Sequence, residues 1–318
     1  MQEPYVHPDT AQLLASLKAM GGGKLSKLPL ADARSAAVFM TQQLDLPCSA
    51  PCSVTSLMVG AISARLYTPT RGSLGPVIIY VHGGGWVLGD LDICDPLCRH
   101  IATRSGYRVL SPAYRLAPEH PFPAAIEDVQ TAASWVASSP AVLEHPVTGI
   151  ALAGDSAGAT LSAVAALSYD AAAPLLALLM LYPVTDISRT TASYDLFAEG
   201  YVLEADDMRY FVDSYAPGIA TRTDSRASPL LATNLAALPQ TTLLTCGLDV
   251  LRDEGRAFAA RLALAGVDVT FSEARGHVHG IATMRRAVPS ACIPVDRAID
   301  EFVANIRRTP TASNLMPR

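Results

Sequence analysis

The segment Gly154-Asp155-Ser156-Ala157-Gly158 sets a serine between two glycines, and its surroundings give that spacing chemical meaning. The apolar run 149–153 before it reads as a strand and 159–167 after it as a helix. Strand, tight turn and helix are the setting of a nucleophile elbow. The turn strains the serine and lifts its hydroxyl clear of the sheet, while side chains at 154 or 158 would strike neighbouring backbone. The helix N-terminus behind the serine favours developing negative charge. A second signal lies upstream, where an apolar run at 77–81 leads into His82-Gly83-Gly84-Gly85-Trp86. Consecutive glycines let backbone N–H groups turn toward one point. Gly83 and Gly84, joined by Ala157 after the serine, are therefore expected to form an oxyanion hole. Gly21 to Gly23 follow no strand and lack a phosphate-loop pattern, so they read as a helix stop.

Four blocks carry a resemblance to a known family: His82–Trp86; Tyr114-Arg115-Leu116-Ala117-Pro118-Glu119-His120-Pro121-Phe122-Pro123-Ala124-Ala125; Gly154–Gly158; and Asp249-Val250-Leu251-Arg252-Asp253-Glu254. Gly276-His277-Val278-His279-Gly280 is a weaker fifth. Together they span roughly residues 55–305, and the chain resembles the hormone-sensitive-lipase family of α/β-hydrolase serine esterases, in its bacterial acetyl esterase-like branch. The resemblance implies a serine carboxylesterase of short-chain acyl esters, working through an acyl-enzyme with neither metal nor organic cofactor. It leaves amidase, lactonase or acyltransferase chemistry open, because all use the same triad. A non-catalytic receptor on this fold is disfavoured, since His279 is present where related plant hormone receptors replace it. Val250 stands where the family has proline and Ile281 where it has phenylalanine, and neither change removes a reacting group.

The serine needs a base and an acid. Asp249 follows the apolar run 243–247, where a loop should leave the sheet, and the chain order Ser156, Asp249, His279 is that of α/β-hydrolases. Asp253 is its competitor, and is read as opening the next helix. His279 is the expected base, on a loop after a strand near 267–272, and His277 is its rival. Only one of the two is expected to reach both Ser156 and Asp249, and Gly280 directly after His279 gives that loop the freedom to place the ring. His82, His120 and His145 have structural readings: loop anchoring, turn packing and surface exposure. Trp86 either lines the substrate pocket beside the oxyanion hole or packs, and Asp155 is either a scaffold at the elbow or a substrate contact.

Apolar runs alternating with helical stretches predict an α/β-hydrolase fold, a mainly parallel eight-stranded sheet with helices on both faces and a helical cap. Strands are expected near 53–59 and 61–67, then at 77–82, 107–111, 149–153, 176–182, 241–246 and 267–272. Helices are expected at 9–20, 31–44, 92–104, 123–137, 157–168, 254–265 and 294–307. Residues 188–235, with a helix at 204–215, interrupt the alternation. By resemblance, residues 1–50 and this insertion form the cap, 51–308 the catalytic domain, and 309–318 a disordered tail.

The 318 residues are half apolar with a net charge of −5, which excludes a disordered chain and gives no footprint for nucleic acid or an anionic membrane. Neither a signal peptide nor a membrane-spanning run is visible, so a cytoplasmic protein acting on a small-molecule ester is expected, with a homodimer left open. The six cysteines include the pairs Cys48/Cys52 and Cys94/Cys98. Their C-x3-C spacing suits structural thiols better than zinc, with a Cys48–Cys52 disulfide as the alternative.

Overall fold

The computed structural model describes residues 4–21, 27–47, 52–72 and 75–309. Two helices come first, α1 (Pro8–Ala19) and α2 (Leu30–Leu44). The hairpin β1 (Cys52–Val59) and β2 (Ile62–Pro69) turns at Gly60. Then β3 (Pro76–Val81), α3 (Asp95–Ser105), β4 (Arg108–Pro112), α4 (Ala124–Ala137), β5 (Gly149–Asp155), α5 (Ala157–Leu167) and β6 (Leu175–Leu181) alternate. The insertion carries α6 (Ala192–Leu196), α7 (Ala205–Tyr215) and α8 (Ile219–Arg222). The chain returns through β7 (Thr241–Leu248), α9 (Arg252–Leu264), β8 (Val269–Val278) and α10 (Cys292–Arg308).

The eight strands lie in the order β1-β2-β4-β3-β5-β6-β7-β8. Pairing is antiparallel from β1 through β2 to β4 and parallel from β4 to β8. Every residue of β3, β4 and β5 is buried, as expected of parallel strands covered on both faces. Such a sheet delivers its functional groups to the carboxyl ends of its strands, and β5 occupies the middle. α5 is buried along nearly its whole length, which explains its Ala-rich sequence: small side chains let it pack closely on the sheet.

The sequence reading placed the elements and missed some ends. β8 runs to Val278 instead of ending near 272, so His277 lies within the strand and His279 just beyond it. The register explains the extension. It passes from Cys246 opposite Ala274 to Leu248 opposite Val278, so Arg275, Gly276 and His277 stand opposite Gly247 alone. The strand continues through this bulge, and Gly276 takes a left-handed φ of +79°. α6, α8 and several 3-10 turns were not foreseen; they are too short for periodicity to reveal. Gly21 follows α1 with φ +93°, which fits a helix stop, whereas Gly22 and Gly23 lie outside the described residues. Cys48 and residues 310–318 also lie outside them. Cys94 and Cys98 are buried at the start of α3, with Cys94 Sγ 3.3 Å from Ser111 Oγ.

Candidate active site

Ser156 sits between β5 and α5 with φ 52° and ψ −124°, a strained conformation for a residue with a side chain. The two flanking glycines make the turn feasible. A Cβ on Gly154 would come within 2.5 Å of the Gly158 backbone. One on Gly158 would strike the carbonyl oxygens of Val81 and His82 at the end of β3.

The structure brings together Ser156, His279 and Asp249. His279 Nε2 is 2.9 Å from Ser156 Oγ, and His279 Nδ1 is 2.7 Å from Asp249 Oδ2. Asp249 is 1% exposed, and its Oδ1 accepts the Leu251 N–H at 2.9 Å. Ser156 and His279 keep 7% and 8% exposure. The rivals point elsewhere. Asp253 lies in the first turn of α9 and pairs with Arg252 and Arg256. His277 faces α1, its Nδ1 3.0 Å from Thr10 Oγ1.

The glycine loop requires a correction. Gly83 is not available as an oxyanion donor, because its N–H is given to Asp155 Oδ1 at 3.0 Å. The amides of Gly84 and Gly85 donate to no protein acceptor among the described residues. Both glycines have positive φ, 110° and 61°, which turns the backbone away from the path of β3. Ala157, the first residue of α5, has no helical carbonyl one turn earlier to receive its N–H. The unspent amides are therefore Gly84, Gly85 and Ala157. Sequence reasoning missed Gly85; the run of three glycines held the signal, but not which two would be free.

Asp155 also receives the Tyr80 hydroxyl at 2.7 Å. Its carboxylate ties β3 to β5. Burial pushes its carboxyl above the ordinary value, against the hydrogen bond from Tyr80, which favours the charged form. Trp86 packs inward. It is fully buried and stacked on Tyr215 of α7, with ring centroids 4.4 Å apart and planes at 6°. His82 anchors the loop as expected: Nδ1 is 2.7 Å from the Gly83 oxygen, and the ring stacks on Tyr114 at 4.4 Å. Burial lowers the His82 pKa to about 4, so the ring is neutral. His145 is exposed, as expected, and so is His120, whose contribution to its turn is the backbone bond to Leu116.

The 114–125 block braces this loop from below. The Tyr114 hydroxyl donates to the His82 oxygen at 2.9 Å, and the Ala117 N–H donates to the Trp86 oxygen at 2.9 Å. Arg115 is fixed to Asp128 through its backbone N–H and its guanidinium. Tyr182, which no motif singles out, packs edge-on against His279 with centroids 4.8 Å apart. Its hydroxyl accepts the Ala282 N–H at 3.3 Å. Tyr182 has φ 37° and Trp86 φ 62°, so three strained residues, with Ser156, gather at the ends of neighbouring strands β3, β5 and β6. Val250 and Ile281, the departures beside the acid and the base, are both fully buried, so each substitutes one packing contact for another.

A parallel-sheet hydrolase elbow with a Ser–His–Asp relay and unspent amides defines the class. Residues 78–283 match the family described as the alpha/beta hydrolase fold, and the chain belongs to that family. Its resemblance to the hormone-sensitive-lipase-like esterases holds as well. It is 38% identical over 258 residues to the carboxylic ester hydrolase LipN of Mycobacterium tuberculosis, covering 78% of this chain and 68% of that one. It is 32% identical over 302 residues to the ethyl acetate hydrolase of Pseudomonas putida, covering 90% and 95%. The crystal structure of a thermostable esterase from Pseudomonas putida ECU1011 matches with a TM-score of 0.89 at 32% identity, over 96% of this chain and 99% of that one. No helix among the described residues is long and apolar enough to cross a membrane.

Proposed function

We propose that Ser156, His279 and Asp249 are the nucleophile, base and orienting acid of a serine carboxylesterase for short-chain acyl esters. The chain is a carboxylic ester hydrolase of the α/β-hydrolase family; the residue roles rest on one observation, the relay from Asp249 through both nitrogens of His279 to Ser156. Ser156 Oγ attacks the ester carbonyl as His279 Nε2 takes its proton. Asp249 holds the imidazole in the tautomer that leaves Nε2 free to accept, and stabilises the cation that forms. The carbonyl oxygen becomes an oxyanion that accepts N–H bonds from Gly84, Gly85 and Ala157. The imidazolium returns its proton to the departing alcohol, leaving the acyl group on Ser156. Water then repeats the sequence, with His279 as base, and releases the acid.

The same reading makes α1, α2 and residues 188–235 a cap over the site. Arg34 of α2 donates to the Val87 oxygen at 2.9 Å and to the Ala117 oxygen at 3.1 Å, so α2 grips the far side of the glycine loop. Phe211 of α7 lies directly against Gly85. An aromatic wall beside an oxyanion donor leaves room for a short acyl chain and obstructs a long one. Each methylene that a pocket does accept would add about 0.8 kcal/mol, so a decline with chain length has to be steric.

The test is hydrolysis of nitrophenyl esters from acetate to dodecanoate, with fluorophosphonate labelling to locate the nucleophile. We expect kcat/KM to peak between acetyl and hexanoyl, and the label on Ser156. Ser156→Ala should lower activity by roughly 10⁴-fold or more with unchanged melting. Undiminished hydrolysis by a folded Ser156→Ala variant would refute the assignment, and a profile rising steadily to dodecanoyl would turn it toward a lipase.

A further inference from the structure

We infer that residues 5–10 form a clasp on the strand end that carries the base, with His277 as a positioning residue acting through His279; this rests on the triad reading above. At the bulge, Arg275, Gly276 and His277 face only Gly247 of β7, and β8 is the last strand of the sheet. The ladder alone therefore holds this stretch weakly, immediately before the residue whose imidazole must meet Ser156.

The N-terminal segment supplies what the ladder lacks. The His7 N–H donates to the Gly276 oxygen at 3.0 Å. The Tyr5 ring lies on Gly276, where a Cβ would come within 2.7 Å of the ring and 2.9 Å of the His7 nitrogen. The Arg275 guanidinium sits over the same ring, 5.9 Å from its centroid. The His7 imidazole stacks on that of His277, with centroids 5.0 Å apart and planes at 25°. Thr10 is fully buried and places its hydroxyl 3.0 Å from His277 Nδ1. The clasp also reaches the chain beyond His279: Asp9 accepts the Ser290 N–H at 2.9 Å, and the Ser290 hydroxyl lies 3.0 Å from His7 Nδ1.

His279 is thus bracketed by two points, 275–277 and 290, both fixed to one short segment. His277 itself touches neither Ser156 nor Asp249 in any hydrogen bond of the structure; its partners are His7 and Thr10. Its effect on the reaction is positional. A displacement of about 1 Å at a reacting group can cost on the order of 10²-fold, so a clasp that removes a fraction of that freedom is worth a measurable part of it.

The experiment uses the full chain with Thr10→Val, His277→Ala and the double variant, and with Thr10→Ser and His277→Asn as conservative partners that keep a polar atom near its place. Steady-state kinetics on nitrophenyl acetate should show kcat lowered roughly 3- to 30-fold in each disruptive single variant with KM within about twofold. The double variant should be no worse than His277→Ala, because the Thr10 contact is already lost with the His277 ring. The conservative variants should recover most of the loss. Amide exchange at 276–281 should accelerate in the disruptive variants while that of β5 and α5 stays unchanged. Unchanged kcat in both singles, losses that multiply in the double, or a defect carried by KM would each overturn the proposal. If His277→Ala does not fold, the Thr10 pair carries the test. If the unaltered chain hydrolyses no ester, the triad reading fails on its own, and the exchange measurement still decides whether the clasp holds the strand end.

Discussion

The serine turn and the histidine loop must meet within a hydrogen bond, yet they are held by different means. Ser156 leaves β5, which has β3 on one side and β6 on the other. Its support comes from the adjacent strand: Gly158 lies on the Val81 and His82 carbonyls, and the Asp155 carboxylate ties Gly83 and Tyr80 into one unit. His279 leaves β8, at the edge, and its support is backbone and side-chain groups brought from residues 5–10, from the end of α2 and from Tyr182 just past β6. Beyond the clasp, the buried Asp45–Arg285 pair joins the end of α2 to the chain six residues past the base, with oxygen–nitrogen distances of 2.8 Å. Arg286 and Ala287 donate their N–H groups to the Leu44 oxygen. A central strand has neighbours on both sides and can be fixed sterically, whereas an edge strand needs partners brought from elsewhere in the chain. Failure at the first place should therefore be a failure to fold, and failure at the second a failure to align.

The sharpest contrast comes from the base itself. His279→Ala should abolish turnover, by roughly 10⁴-fold or more in kcat/KM for a short-chain ester, with melting near that of the unaltered chain, because the ring contributes chemistry more than packing. Retained activity in that variant would mean that a different group accepts the proton. Next in size are two glycines, one at the centre of the sheet and one at its edge. Gly158→Ala drives a methyl group into two carbonyl oxygens that cannot move without the sheet, and we expect a loss of about 4 kcal/mol or more in urea unfolding. Gly276→Ala meets the ring of Tyr5, which can swing away, and the His7 nitrogen on a terminal segment that can shift, and adds the cost of a left-handed φ. About 1–2 kcal/mol and a drop in kcat should follow. Equal losses at the two positions would remove the distinction between centre and edge.

An effect of similar size concerns pH and belongs to the centre. Burial holds the His82 pKa at about 4, below the ordinary histidine value near 6.5, so the unfolded chain takes up a proton that the native chain refuses. The stability is complete above pH 6.5 and is lost as pH falls toward 4. This one group accounts for roughly 2 kcal/mol between pH 7 and pH 5. Urea midpoints at the two values should show a shallower dependence for His82→Asn than for the unaltered chain, and parallel slopes would remove His82 from the account.

Much of this was legible in the chain. The elbow, the strand before it and the helix after it are local, and local patterns survive in sequence because a strained turn tolerates few residue types. The choice of Asp249 over Asp253 and of His279 over His277 rested on spacing, and the structure brings the first of each pair together with Ser156. What spacing could not supply was the far end of β8, since the polar residues Glu273 and Arg275 beyond the expected strand 267–272 carry no apolar signal that the strand continues. The sequence also could not show the partners of Trp86 and Asp155: Tyr215, Tyr80 and Gly83 reach them from remote parts of the chain.

The sequence by itself determined that a serine would stand on a glycine-flanked turn, with a glycine-rich loop upstream and an acid and a base downstream, because each feature depends on residues within a few positions of one another. Only the tertiary structure decided which amides of the glycine loop stay free. Asp155 is 72 residues from Gly83, and its carboxylate takes that N–H, leaving Gly84 and Gly85. It likewise decided that the histidine loop would be gripped by residues more than 260 positions earlier, as in the bond between Thr10 and His277. Local sequence sets what a segment can become, but a hydrogen bond is awarded to whichever partner the fold carries within about 3 Å, and that distance exists only after the chain has closed on itself.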